Sequence, residues 1–174
     1  MSVDLFVANE QDEVSIDLER WTALSIAVLA ARGVTANAEM SLLFVDETTI
    51  AHLNEEFLGK VGPTDVLSFP IEDEETYSGR VPDQGGTGPG STANERPVTL
   101  IGDVLVCPAV ALRNAIEHDT SDDAGFALLI VHGILHLLGF DHVVDTEAEV
   151  MEALERELLR AHFDPAWGGP RSER

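Results

Sequence analysis

The sequence contains very little cysteine and lysine, and each scarcity excludes a class of protein. A single cysteine, Cys107, cannot form an internal disulfide or a zinc site built from several thiolates. The only lysine, Lys60, stands with nine arginines against 32 acidic residues. The resulting net charge of −22 favours solubility and repels nucleic acid at long range, so any function on RNA has to overcome it.

Long apolar segments and targeting signals are also missing. No apolar run reaches the roughly 18 residues that a membrane-spanning helix needs. The acidic start, MSVDLFVANEQDE, lacks the basic and apolar regions of a signal peptide, so we expect a cytoplasmic protein without a membrane partner. With 174 residues, 44% of them hydrophobic, the chain suits one domain, which we predict over residues 1–163.

One segment inside this domain differs from the rest in composition. Residues 71–97 contain five glycines and six acidic residues but few aliphatic ones, so they cannot bury enough apolar surface to hold one conformation. We predict a flexible acidic and glycine-rich insertion there, and a frayed tail over residues 164–174.

The remaining sequence alternates strand and helix patterns. Strands are predicted over residues 2–8, 38–46, 65–69 and 99–107. Helices are predicted over 16–32, from Asp46 to Gly59, from Pro108 onward, and over 123–138 and 145–162. The helix at 123–138 is almost wholly apolar and must be buried on most sides. The inner face of the last helix is predicted to consist of Val150, Met151, Leu154 and Leu158.

The stretch HGILHLLGFDH, residues 132–142, places three of the six histidines at the spacing H-x3-H-x5-H. His132 and His136 share one helix face, one turn apart, and Gly139 allows the chain to reverse and bring His142 towards them. Three imidazole nitrogens about 2.0–2.1 Å from a zinc ion would leave one position open for water, as in catalytic sites. The spacing therefore predicts a metal site at the end of a central buried helix.

Gly133 stands where metalloproteases of related histidine spacing carry a glutamate that acts as general base. Zinc lowers the pKa of its bound water to about 7, so a nucleophile exists without that carboxylate. A peptide bond also needs a proton for its amine leaving group, whereas the metal can stabilise the charge that develops on a phosphodiester. The missing glutamate thus favours a phosphodiesterase. Gly133 either leaves space for a bulky substrate or serves close packing.

The histidine stretch, together with GPTDVLSFP at 62–70 and IGDVLVCP at 101–108, resembles the YbeY family of bacterial metallo-endoribonucleases, also called ribosomal RNA maturation factors. The resemblance implies an α+β fold, with a mixed sheet of about four strands packed with about five helices. It implies one Zn²⁺ ion held by His132, His136 and His142, which would act in catalysis through the metal and its water. It also implies cleavage of single-stranded RNA, in 3′-end maturation of 16S ribosomal RNA and in ribosome quality control, with a ribosomal or assembly-factor protein as partner.

One departure from the family pattern concerns RNA binding. Leu58 stands where many members carry an arginine thought to contact phosphate. Lys60, or Arg113 on the helix after the GDV strand, is a candidate to replace that arginine. Arg113 could also form a basic patch with Arg156 and Arg160.

Other residues near the motifs have alternative roles. Asp141 either accepts a hydrogen bond from a ligand imidazole, and so takes part in the catalytic site, or caps the following turn. Ser68 and Asp103 are candidates to line the cleft, and the backbone edges of the GDV strand are candidates to hold an extended substrate. Met151 lies either beneath the metal or in the core.

Two alternatives to an endoribonuclease stay open. A zinc peptidase or other hydrolase would need a base from elsewhere, such as Glu147 or Asp141. A non-catalytic ribosome-assembly factor would use the metal mainly to tie the helix to the following loop. Cleavage of an unfolded protein would favour the first, and assembly activity that survives mutation of the ligands would favour the second.

Overall fold

The computed structural model describes residues 3–35, 37–71 and 98–164. Their elements are, in order, β1 (Asp4–Asn9), α1 (Leu18–Ala31), β2 (Ala38–Phe44), α2 (Glu47–Leu58), β3 (Val66–Pro70), β4 (Thr99–Val106), α3 (Pro108–Glu117), α4 (Asp122–Leu137) and α5 (Asp145–His162). The expected α+β class, with about four strands and five helices, is confirmed. Apart from Ile71 and Asp164, the predicted insertion and tail lie outside the described residues, and the single domain stays a prediction.

The four strands form one mixed sheet in the order β1-β2-β4-β3. The β1–β2 and β2–β4 pairs are parallel, and β3 runs antiparallel to β4. Because β4 has a neighbour on each side, both of its backbone edges are already hydrogen-bonded. The expectation that the GDV strand holds an extended substrate along its edge is therefore wrong. β3 lies at the edge of the sheet.

Local signals in the sequence account for the helix bounds. Asp46 caps α2, where its carboxylate accepts a hydrogen bond from the Thr49 amide at 2.7 Å, and this bond lowers the pKa of Asp46. Gly59 ends α2 in the left-handed conformation. Ser121 caps the start of α4 as Asp46 caps α2, because its hydroxyl accepts a hydrogen bond from the Ala124 amide at 3.2 Å.

Helix α4 occupies the centre of the molecule and contacts β3, β4, α1, α3 and α5. Its residues Ile130, Val131 and Ile134 are fully buried, as the apolar character of the segment predicts. In the parts of the chain that the structure describes, no helix combines the length and apolar character needed to cross a bilayer.

Helix α5 covers α4 with a narrower face than the sequence suggested. Met151 and Leu158 are buried and Leu154 packs against the core, as predicted. Val150, by contrast, is 58% exposed, so its predicted inward position is wrong. A helix turns by about 100° per residue. Residues 151, 155 and 158 share the face towards the core, so residue 150 points away from it.

A glycine in β4 permits the close approach of β3. The β2–β4 register shifts between Glu39 and Met40, and Gly102 then has φ +132°. A Cβ atom on Gly102 would lie 2.2 Å from the backbone oxygen of Phe69. The glycine of the GDV motif is therefore required by the backbone itself.

We expect Gly102→Ala to lower the free energy of unfolding by about 3 kcal/mol or more, because a backbone clash adds to an unfavourable φ. Gly33→Ala is the matched control, since Gly33 has φ +85° but no atom within 4 Å of the added Cβ. The control should cost about 1–2 kcal/mol. Urea unfolding measures both variants, and equal losses would contradict the role assigned to the β3 contact.

Candidate metal centre

Three histidines from two adjoining elements converge at the C-terminal end of α4. His132 and His136 lie one turn apart on α4, and His142 follows in the connection to α5. Gly139, with φ +94°, reverses the chain between them. One nitrogen from each ring lies within 4.8 Å of the other two, and the Nε2 atoms of His132 and His136 are 3.0 Å apart. The structure thus brings together the three residues that the spacing singled out.

The separation of these nitrogens suits a shared metal ion. Ligand nitrogens about 2.0–2.1 Å from a tetrahedral zinc ion lie about 3.4 Å from one another. The His132 and His136 side chains are half-buried, whereas His142 is exposed. An all-imidazole set of this kind suits zinc and neighbouring transition metals, and its exposed side would leave a bound ion accessible from solvent.

The electrostatics of the cluster favour the neutral form of the His136 imidazole. Burial, followed by the nearby His132 and His142 rings, holds the pKa of His136 below its ordinary value. Protonation of one ring would place a positive charge beside the other two. The neutral imidazole is the form that binds metals, so the site is disposed towards a metal before one arrives.

A carboxylate that the sequence analysis did not single out holds one of the rings. Glu155 on α5 is only 8% exposed, and its Oε1 lies 2.5 Å from Nδ1 of His132. Nδ1 is thereby engaged, and Nε2 of the same ring faces the cluster. The arrangement is the carboxylate–histidine pair that orients metal ligands in many proteins. The sequence did contain a sign of this contact, because Glu155 is an acid on the apolar inner face of α5, between Met151 and Leu158.

The sheet fills the space where a side chain of Gly133 would lie. A Cβ atom there would lie 2.6 Å from Cγ1 of Val104, and the Ser68 hydroxyl donates a hydrogen bond to the Gly133 carbonyl at 3.1 Å. The suggestion that Gly133 leaves space for a substrate is therefore wrong, and the packing alternative is correct. A glutamate at this position would collide with β4.

The histidines lie in an open cleft of about 700 Å³. One wall comes from the end of α2 and from β3, and includes Leu58 and Ser68. The other comes from the end of α4 and the following loop, and includes Phe140 and Asp141. Most of the lining residues are apolar, and no lysine or arginine of the described residues is among them.

The remaining candidates divide between cleft and core. The Asp141 carboxylate accepts a hydrogen bond from the His142 amide at 2.7 Å, so it serves the turn, while Glu155 contacts the imidazole. Ser68 lines the cleft as expected, but Asp103 does not. Met151 is buried in the core and is not part of the cleft wall.

The two candidates to replace the family's arginine do not line the cleft. Arg113 forms an ion pair with Glu47, which raises the pKa of Arg113, and its charge is thereby engaged at the start of α2. Lys60 is exposed and follows α2 by two residues. Leu58 itself lies in the wall and is 52% exposed. The basic patch of Arg113 with Arg156 and Arg160 stays a prediction.

Comparisons with known proteins place this geometry in a family. The family model described as "Endoribonuclease YbeY" matches residues 6–162. Curated proteins named Endoribonuclease YbeY resemble the chain along most of its length. The protein from Frankia alni is 40% identical, in an alignment that covers 93% of this chain and 83% of the relative. The protein from Chromohalobacter salexigens is 41% identical, with 98% of this chain and 95% of the relative covered.

A solved structure shares the fold. The solution structure of TM1509 from Thermotoga maritima covers 98% of this chain and 99% of its own, with a TM-score of 0.53. Its sequence identity is 21%, so the likeness concerns the fold alone.

We expect Glu155→Gln to weaken zinc binding by about 10- to 100-fold, because a neutral amide holds the His132 ring less firmly and makes it less basic. Competition with a chromophoric chelator measures this affinity without reference to activity. Glu152→Gln, an exposed position on the same helix, is the control of equal charge. Equal affinities of the two variants would show that Glu155 does not act through His132.

Proposed function

The chain belongs to the endoribonuclease YbeY family, and on that premise we propose that it cleaves single-stranded RNA at one zinc ion held by His132, His136 and His142. The observation that carries the proposal is the convergence of three imidazole nitrogens, all within 4.8 Å of one another, in the wall of an open cleft. A site of this kind admits a polymer from solvent.

The roles of the protein groups follow from their contacts. A bound zinc ion supplies a Lewis acid and activates water near neutral pH. Glu155 fixes the tautomer of His132, so that Nε2 points to the other rings. The exposed side of His142 leaves the scissile phosphate a path to the cluster.

The acids around the cleft favour a phosphodiester over a peptide. Asp141 is the one acid among the described residues that lines the cleft, and its carboxylate accepts the His142 amide. Glu147, the other base considered for a peptidase, lies in the first turn of α5 and is absent from the lining. An RNA alkoxide needs proton delivery less than an amine does, because a bound metal would stabilise its negative charge, so this site suits RNA.

We further propose that the substrate is ribosomal RNA and that a ribosomal or assembly-factor protein delivers it in the cytoplasm. The role would be 3′-end maturation of 16S ribosomal RNA and ribosome quality control. The net charge of −22 opposes the approach of naked RNA, and a cleft whose described lining residues include no cation gives such RNA little affinity. A protein partner would supply the affinity that this surface lacks.

We expect the wild-type chain with one equivalent of zinc to cut an unstructured RNA, and His136→Ala to be at least about 100-fold slower because a metal ligand is lost. His52→Ala, at an exposed position on α2, should keep full activity. Gel analysis of a labelled RNA, with and without chelator, measures the rates. If the wild type binds zinc tightly and still does not cut, the isolated chain is not a nuclease.

We expect Leu58→Arg to bind single-stranded RNA about 3- to 10-fold more tightly, because it places a guanidinium in the cleft wall. The last turn of α2 contains no basic residue, so the helix end also favours the new charge. Val61→Arg adds the same charge at a side chain that is 90% exposed and outside the lining. Fluorescence anisotropy measures the RNA affinity of both variants. Equal increases in affinity for Leu58→Arg and Val61→Arg would indicate a general charge effect.

A further inference from the structure

A cation lies against the rim of the cleft although none forms its lining among the described residues. Arg32 follows the last turn of α1, and its guanidinium carbon is 5.5 Å from the centroid of the Phe140 ring. Phe140 lines the cleft two residues before His142. A guanidinium over an aromatic face is held there by a cation–π interaction, which restricts an otherwise mobile side chain.

The charge of Arg32 has no ion-pair partner among the residues that the structure describes. Within residues 3–35, 37–71 and 98–164, Arg20 pairs with Asp123 and Arg113 pairs with Glu47, but no carboxylate pairs with Arg32. Among the described residues, no hydrogen bond of the Arg32 guanidinium accompanies its contact with the Phe140 ring, so its N–H donors are available.

We propose that Arg32 binds a phosphate of an RNA strand that lies in the cleft, and this role rests on the function proposed above. The planar guanidinium presents paired N–H donors that match two phosphate oxygens. Phe140, which Arg32 contacts, lies in the same cleft lining as the three histidines. The rim at Phe140 thus carries the positive charge that the wall at Leu58 lacks.

The chain contains a closely matched control for this contact. Arg20 lies in the first turn of α1, where it pairs with Asp123, and it also has its guanidinium over aromatic rings, 5.1 Å from the centroids of Trp21 and Phe163. Neither of those rings lines the cleft. Arg20→Gln therefore removes the same charge and the same type of stacking at a distance from the site.

The test measures binding of a labelled, unstructured 2′-O-methyl RNA to zinc-loaded protein by fluorescence anisotropy over a series of salt concentrations. Arg32→Gln is expected to weaken binding by about 3- to 10-fold at low salt. It should also reduce the slope of log K against log salt by about 0.7, the value for one phosphate contact on a single strand. Arg20→Gln should leave the slope unchanged, and both variants should bind zinc like the wild type.

Arg32→Lys adds a second criterion, because it keeps the charge but loses the planar fork. It should retain the wild-type slope with a smaller loss of affinity than Arg32→Gln. Equal slopes for Arg32→Gln and Arg20→Gln would overturn the assignment of Arg32. In that case the proposed function still stands if the wild type cleaves RNA in the gel assay. A zinc-loaded wild type that binds no RNA at any salt concentration would overturn both.

Discussion

The close contact between α4 and the sheet at Gly133 is the constraint on which the site depends. With no side chain at this position, the helix backbone comes near enough to β3 for the Ser68 hydroxyl to reach the Gly133 carbonyl. A Cβ atom would already meet Val104. The helix is therefore fixed in depth and rotation, and His132 and His136, which flank Gly133 on this helix, are fixed with it.

The same contact explains why no glutamate occupies the position of a protease base. The site does have a buried carboxylate, but Glu155 comes from α5 and faces the far side of His132. Its position suits orientation of a ligand and not proton transfer to a substrate in the cleft. The proposed metal therefore has no base beside it at position 133. Instead, Gly133 packs closely against the sheet, and Glu155 holds the ligand His132 in place.

Features that depend on neighbouring residues could be predicted from the sequence, and features that depend on distant contacts could not. The caps at Asp46 and Gly59 and the histidine spacing act within one or two turns, and the structure agrees with each. The Glu155–His132 contact spans 23 positions, and the close fit at Gly133 depends on β3 and β4. The central place of β4 also required the strand order, which periodicity does not contain.

The large negative charge and an RNA substrate are compatible because charge acts locally at cellular salt. The Debye length is about 8 Å at 0.15 M, so acids farther than that from the cleft repel a bound strand only weakly. Among the described lining residues the one acid is Asp141, and its carboxylate is hydrogen-bonded to the His142 amide. A single guanidinium at the rim then offsets this one negative charge. The net charge of −22 therefore slows the approach of RNA more than it opposes RNA already in place.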